Sequence, residues 1–363
     1  MTATQHSPPT LMGRALERAR ALVDLAPDAL ERFVPPGGEL RQRCALEDGG
    51  ESYETSTPAY SHPARYALIT VLGLRRLLAA LPEGRPSDHA RDLEARFEAH
   101  AHGPVHGEPE RALAAWLDAT LGRRAAVPAR PVARLEDLGT QGVAWWLCAH
   151  VANGDEVAAE AAARELRLRQ RPGGLFRASR EPGLATFNQQ SYPVHALAMH
   201  RDPSSLDAAA RGMARLVELQ GRRGQWWWLY DPDRGSVSDR YPVYAVHQAG
   251  MAPMALLEVA SAGGPWHAQA MERSLEWLFG DNELGTTMVL EERRAIYRGI
   301  RRSERWGRVP AGLGRRGLGR LNGLLPGKEI NRTTRSYTYG WLLFALAPLV
   351  SWSEAALNQG SRR

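Results

Sequence analysis

The chain has 363 residues, 44% of them hydrophobic and 24% charged, enough apolar side chain for a large core and too much for a disordered chain. Its formal net charge of +6 suggests a polyanionic partner, but only Lys328 among the 46 basic residues is a lysine. So lopsided a choice reflects GC-rich codon usage, and local clusters of charge say more than the total. Two cysteines, Cys44 and Cys148, are too few for a disulfide framework or a cysteine-only metal site, and Cys148 inside AWWLCAH reads as a buried packing thiol.

Residues 1–12 read as a flexible tail without the basic, apolar and small-residue order of a secretory signal, which places the chain in the cytoplasm. One domain is expected over 13–350, followed by a C-terminal tail over 351–363. The longest uninterrupted apolar candidate, Gly340 to Val350, has 11 residues, whereas a membrane span needs about 20. Going along the chain, RYALITVLGL from Arg65 is the first strongly apolar helix start. His100, His102 and His106 follow in AHAHGPVHGE, a Gly-Pro setting that reads as a solvated loop; no metal and no cofactor is expected. A second apolar helix begins with GVAWWLCAH at Gly142.

Residues 140–350 contain a repeat. Gln170, Gly174 and Phe176 match Gln220, Gly224 and Trp226 at the same spacing, and a Tyr-Pro-Val follows each set, at Tyr192 and Tyr241. The repeat period is 50 residues by glutamine and 49 by tyrosine. Each unit reads as a helical hairpin. Proline suits a helix's first turn, where its missing N–H is not needed. Leu206 to Gln220 has the helical spacing of an outer amphipathic helix, and Pro242 to Ala260 is apolar on nearly all sides, as an inner helix should be. A further apolar start, SYTYGWLLFAL with Tyr337, lies close to two periods beyond Tyr241. Hairpins that cannot bury their apolar faces alone must stack, and such apolar inner helices favour a closed ring. The expected fold is all-α, an α/α toroid of about six hairpins.

The Gln-x3-Gly-x-Trp pattern resembles the QW motif of the terpenoid cyclase and protein prenyltransferase toroids. The hairpin organisation is similar to that of six-hairpin glycosidases and uronate epimerases. GQWWWLYDPDRGSVSDRYPVYAVHQAGMAPMALLEVA further resembles bacterial α/α-toroid proteins associated with exopolysaccharide biosynthesis. The resemblance implies the toroid and leaves the reaction open. The DxDD and DDxxD aspartates that the cyclase families use do not occur, and Asp231-Pro-Asp233 reads as a proline-centred turn.

In a toroid the starts of the inner helices converge on one mouth. Gln189, Tyr192, His195, Tyr244, Gln248, Arg335 and Tyr337 are therefore candidate substrate-binding residues, with Tyr241 and His247 as proton donor and acceptor and arginine as an anion clamp. Trp226 is expected to pack the corner. The adjacent Trp227 and Trp228 cannot share its face and are candidates for a sugar platform. Glu283, in DNELG, is the candidate catalytic carboxylate, without an obvious carboxylate partner. Arg293 to Arg320 holds ten arginines against one acidic residue, Glu304. It reads as a solvated loop, or as a peripheral contact with anionic membrane or a lipid-linked substrate. Aromatic residues are too sparse there for a nucleic-acid groove, so no nucleic acid is expected. Three functions remain: a saccharide-active enzyme of cell-surface polysaccharide assembly using acid–base chemistry (hydrolysis, elimination or epimerisation), an isoprenoid cyclase, or a non-catalytic scaffold of a membrane-associated complex.

Overall fold

A computed structural model describes residues 9–55, 63–82, 87–101, 107–123, 131–303 and 327–360. It is 58% helical. The helices are α1 (Gly13–Glu31), α2 (Pro63–Ala80), α3 (Asp88–Ala101), α4 (Glu108–Thr120), α5 (Thr140–Asn153), α6 (Glu156–Arg169), α7 (Asn188–His200), α8 (Pro203–Leu219), α9 (Ala252–Ser261), α10 (Ala268–Leu278) and α11 (Ser336–Gly360). Six of them form a closed inner ring: α2 packs on α4, α4 on α5, α5 on α7, α7 on α9, α9 on α11, and α11 returns to α2. The other five described helices lie outside, α1 against α11 and α10, α3 against α2, α6 against α5, α8 against α7, and α10 against the start of the α9 segment. Between α4 and α5 no outer helix occurs among the described residues.

Sequence explains which helix goes where. In α5 every residue from Gly142 to His150 is buried, so the helix needs neighbours on all sides. In α8 burial is confined to one stripe, Ser205, Ala208, Ala209, Gly212, Met213 and Leu216, and the opposite face carries charge. Asp202 caps α8 by accepting from the backbone N–H of Ser204 and Ser205. α11 is long and apolar enough to cross a membrane, but 67% of its apolar stretch is buried within the protein. Its closest neighbour is α2, where Gly73 faces Gly340. A Cβ on Gly73 would lie 2.1 Å from the Gly340 carbonyl oxygen, so only glycine lets these two backbones meet.

The centre of the ring below the mouth is filled. Trp116 lies 6.2 Å from Trp341 and 5.5 Å from Phe344 between ring centroids, and the Tyr192 ring packs 5.7 Å from Trp341. Large rings interlocked at these distances are the core itself, not the wall of a tunnel.

The repeated glutamines and glycines build the corners. Gln170 Nε2 donates to the carbonyls of Gly174 (3.0 Å) and Ala208 (2.7 Å), and Gln220 Nε2 donates to those of Gly224 (3.1 Å) and Ala270 (3.0 Å). Each side chain thus closes its own turn and ties it to the next outer helix. Gly174 and Gly224 have φ of 91° and 89°, and each faces the backbone of that outer helix too closely for a side chain. A second glutamine completes each corner. Gln190 pairs with the backbone N–H and C=O of Phe176 at 2.8 and 2.7 Å. Gln248, with its amide oriented to satisfy both groups, accepts from the N–H of Trp226 at 3.1 Å and donates to Gly224 at 2.8 Å.

This correspondence corrects the repeat drawn from Tyr-Pro-Val. Gln190 precedes Tyr192, whereas Gln248 follows Tyr241, so the two tyrosines are not equivalent. Tyr192 is on inner helix α7, but Tyr241 precedes a strand, β6 (Val243–Tyr244), and the helical path starts only with a π turn at His247–Met251. The reason is strand pairing. Val243 and Tyr244 pair with Ile300 and Gly299 of β9 (Gly299–Arg302), which in turn pairs with β10 (Lys328–Asn331). Numbered in chain order, the other short strands are β1 (Arg43–Glu47), β2 (Gly50–Glu54), β3 (Ala185–Thr186), β4 (Leu229–Asp231), β5 (Ser236–Asp239), β7 (Val289–Leu290), β8 (Ala295–Ile296) and β11 (Thr333–Thr334). β11 pairs with β1, which pairs with β2, while β4 lies between β3 and β5. Asp231-Pro-Asp233 forms the turn between β4 and β5, and Asp233 is held by Arg171 and Arg177.

Of the two expected tails, residues 9–12 and 351–360 are described. Leu11 is 1% exposed and its N–H donates to Ser353 Oγ at 2.8 Å, joining the two ends of the domain. The segment from 351 continues α11 to Gly360. His100 lies on α3, whereas His102 and His106 lie outside the described residues.

Candidate functional site

A cavity of about 210 Å³ opens at the mouth of the ring. It is lined from the first two turns of four inner helices and from the π turn. Arg65, Tyr66 and Ile69 come from α2, Gln141 and Trp145 from α5, Asn188 and Tyr192 from α7, and Tyr337 from α11. Val246, His247 and Met251 come from the π turn and its flank, Tyr244 from β6, Arg298 from just before β9, and Trp228 from the corner loop. Helix starts present backbone N–H groups and the positive ends of their dipoles, which favours an anion. Two lining arginines add to that field, and no Asp or Glu lines the cavity among the described residues.

The walls are held by ring packing. Tyr66 and Tyr337 stack at 4.7 Å across the α2–α11 seam, and Arg335 donates to the Tyr66 hydroxyl. The Arg298 guanidinium lies 4.8 Å from the Tyr244 ring centroid, and the fully buried Arg298 Nε has no hydrogen-bond partner among the described residues. Arg65 is held between Glu110 and the Trp145 ring. Trp145 itself is 1% exposed, and its Nε1 has no partner among the described residues. Asn188 donates to Gln141, which links α7 to α5 at the cavity edge.

His247 is 3% exposed. Its ring lies 4.6 Å from that of Phe187, is parallel to Trp228 at 6.3 Å and is perpendicular to Tyr244 at 5.3 Å. Burial pushes its pKa down to about 3; the Trp226 carbonyl opposes the shift and the Arg298 charge adds to it. The imidazole is neutral at physiological pH and can accept a proton. Burial raises the pKa of Tyr244, with Arg298 pulling the other way. For Tyr66 burial is again the main cause of a raised pKa, Tyr337 adds to it and Arg335 opposes. Protonated phenols beside a neutral imidazole provide proton donors and an acceptor in one site.

Of the residues singled out in the sequence, Tyr192, Trp228, Tyr244, His247 and Tyr337 meet in this cavity. Others lie elsewhere. His195 is a core histidine, 2% exposed, 5.9 Å from Trp116 and 5.7 Å from Phe344, and burial lowers its pKa. Gln248 is a corner anchor, and Gln189 accepts from the backbone N–H of Thr186 at 2.9 Å. Tyr241, expected to share a pocket with His247 and Arg335, does not line the cavity. Its hydroxyl donates to Glu283 Oε1 at 2.7 Å, while Trp277 Nε1 donates to Glu283 Oε2 at 2.8 Å. Both oxygens of Glu283 are thereby engaged in a structural cluster that Trp227 joins edge-on to Tyr241 at 6.1 Å. Trp226 is fully buried with Nε1 on Ser274 at 2.8 Å, as the corner requires. Arg335 lines an adjoining polar groove. Arg293 donates to the Glu47 carbonyl at 2.9 Å, and 304–320, the larger part of the arginine-rich segment, lies outside the described residues.

Sequence reading did not select Arg65, Tyr66, Gln141, Trp145, Asn188 or Arg298. The first five adjoin helix starts already recognised at Arg65, Gly142 and Tyr192, and a rule taking the first two turns of each helix would have found them. Arg298 carried no such signal, because only the pairing of β9 with β6 brings it to the mouth.

A closed ring of inner helices inside an outer layer, with a cavity at the inner-helix starts, defines an α/α toroid. No protein-family model and no curated protein matches the chain. Among solved structures it is similar to the type II terpene cyclase MstE from Scytonema, at 10% identity and a TM-score of 0.46 over 94% of this chain and 99% of that one. It is also similar to an α-1,6-mannanase of Salegentibacter, at 12% identity and a TM-score of 0.41 over 94% of this chain and 100% of that one. A third, the unsaturated glucuronyl hydrolase of Streptococcus agalactiae, aligns at 12% identity and a TM-score of 0.42 over 93% of this chain and 90% of that one. At such identities these likenesses concern the path of the chain and not its site.

Proposed function

We propose that the chain is an acid–base enzyme that binds one anionic sugar unit, a uronate, at the mouth of the toroid and abstracts the proton next to its carboxylate, leading to elimination or epimerisation. The carrying observation is the set of polar groups on the cavity wall, which among the described residues are arginine, phenol, amide and neutral imidazole with no carboxylate, set beside the indoles of Trp145 and Trp228. Hydrolysis by paired carboxylates lacks its reacting groups there. An isoprenoid cyclase would find aromatic walls in Trp145 and Trp228, but the cavity of 210 Å³ is smaller than the roughly 300 Å³ at which drug-sized sites begin.

Each residue has a part in this reaction. Arg298 neutralises the carboxylate, which lowers the cost of charge developing on the adjacent carbon. His247 accepts that carbon's proton. A carboxylate bound beside the imidazole favours its protonated form and so raises its basicity above that set by burial alone. In elimination the electron pair forms the C4–C5 double bond, the C4–O bond breaks, and Tyr244 protonates the departing oxygen. In epimerisation Tyr244 delivers its phenolic proton to the opposite face of the carbanion, and solvent exchange reprotonates the phenolate and takes the proton held by His247.

The test uses galacturonate, glucuronate and mannuronate and their oligomers. Calorimetry should show binding that weakens about 10- to 100-fold in Arg298→Gln, the loss of one charge-assisted contact. Proton NMR in D2O should show deuterium entering C5, or an unsaturated product, and neither in His247→Gln. Absence of uronate binding, or binding indifferent to Arg298→Gln, refutes the reading.

A further inference from the structure

Next to the cavity lies a second concavity of about 660 Å³, more polar and more open. It is lined by two three-stranded sheets, β10–β9–β6, which supplies Tyr244 to the site, and β11–β1–β2. β10 and the residues leading into β11 form one side, β1 supplies Arg43, Ala45 and Glu47, and β9 supplies Arg301. Five arginines, Arg43, Arg298, Arg301, Arg332 and Arg335, line it, against two glutamates. One of the five, Arg298, also lines the cavity, and Arg335 reaches from the groove to the hydroxyl of the cavity residue Tyr66. The Nε atoms of Arg298 and Arg335 are both fully buried and without a hydrogen-bond partner among the described residues. Guanidinium groups gathered along one groove are the kind of group that holds carboxylates through paired, charge-assisted hydrogen bonds.

We infer that the groove binds the next sugar units of a polyanionic saccharide chain whose reacting unit occupies the cavity. This rests on the uronate reading of the cavity and goes beyond it: the substrate is a polymer with a charge on successive units, not a free monosaccharide. The outer arginines suit such a role. Arg332 is 53% exposed and paired at 3.0 Å with Asp48, which is 93% exposed, and Arg43 is paired with the exposed Glu54. Partners this exposed yield readily to a second anion, since surface pairs contribute little.

The experiment measures binding of oligogalacturonates of one to six units to the full chain and to the double variant Arg43→Gln/Arg332→Gln by calorimetry, with melting temperature as the folding control. For the unmodified protein, affinity should rise about tenfold or more from monomer to tetramer and then level off, as added units engage a linked site. In the double variant the monomer should bind as before, and most of the gain with length should be lost. Raising salt should erode the length-dependent part most. Affinity that does not change with length, while the monomer binds and Arg298→Gln weakens it, overturns the polymer inference and leaves the cavity reading standing. Binding that grows with length equally in both proteins also overturns it. If no length binds, both fall.

Discussion

Protonation of His247 is the most direct physical consequence of the site's architecture. The imidazole is 3% exposed among Phe187, Trp228 and Tyr244, and its pKa falls from 6.5 to about 3. In the unfolded chain the same group takes up a proton near pH 6.5. Between these values the unfolded state holds more protons than the folded one, so stability is complete above pH 6.5 and falls as pH drops towards 3. From pH 7.5 to 5.0 the loss due to this one group is about 2 kcal/mol. His195 is buried too and its pKa is also lowered, so the unmodified protein carries acid sensitivity from both. Comparison with His247→Phe isolates one of them, and phenylalanine keeps the ring contacts. Urea unfolding followed by circular dichroism at the two pH values should show the parent losing about 2 kcal/mol more than the variant. Equal losses would show that burial does not hold His247 neutral.

Three further outcomes follow from the geometry. Gly224→Ala places a Cβ 2.1 Å from the Arg273 carbonyl oxygen at a φ of 89°, and thermal melts should register a cost of about 2–4 kcal/mol. Gly122→Ala, at a φ of 63° with nothing within 4 Å, should cost only about 1 kcal/mol, because backbone conformation alone is at stake. Tyr241→Phe leaves Glu283 one donor short and should lower stability by about 2 kcal/mol. Uronate binding at the cavity should be unchanged, and a loss of binding with stability intact would return Tyr241 to the site.

The sequence by itself determined the toroid. Helices apolar on every side, such as α5, alternate with helices apolar on one stripe, such as α8, and that alternation has few other solutions. The sequence also marked Gln170 with Gly174 and Gln220 with Gly224 as equivalent pairs, because the turn that each pair closes is local and repeats with the chain, whereas the tie from each glutamine to the next outer helix is not local. Tertiary structure decided the site. Tyr192 and Tyr241 sit in the same Tyr-Pro-Val string, yet one joins the cavity and the other a glutamate cluster, since β9 pulls Val243 and Tyr244 out of the helical path. His195 and His247 follow the same rule: both are buried, but only one is on the first turn that faces the mouth. Arg298 reaches the cavity through strand pairing and leaves no local trace in the sequence. Periodicity records which side of a helix is buried, whereas a cavity depends on how far along each helix the ring's mouth lies, and that is fixed only when all six inner helices have packed.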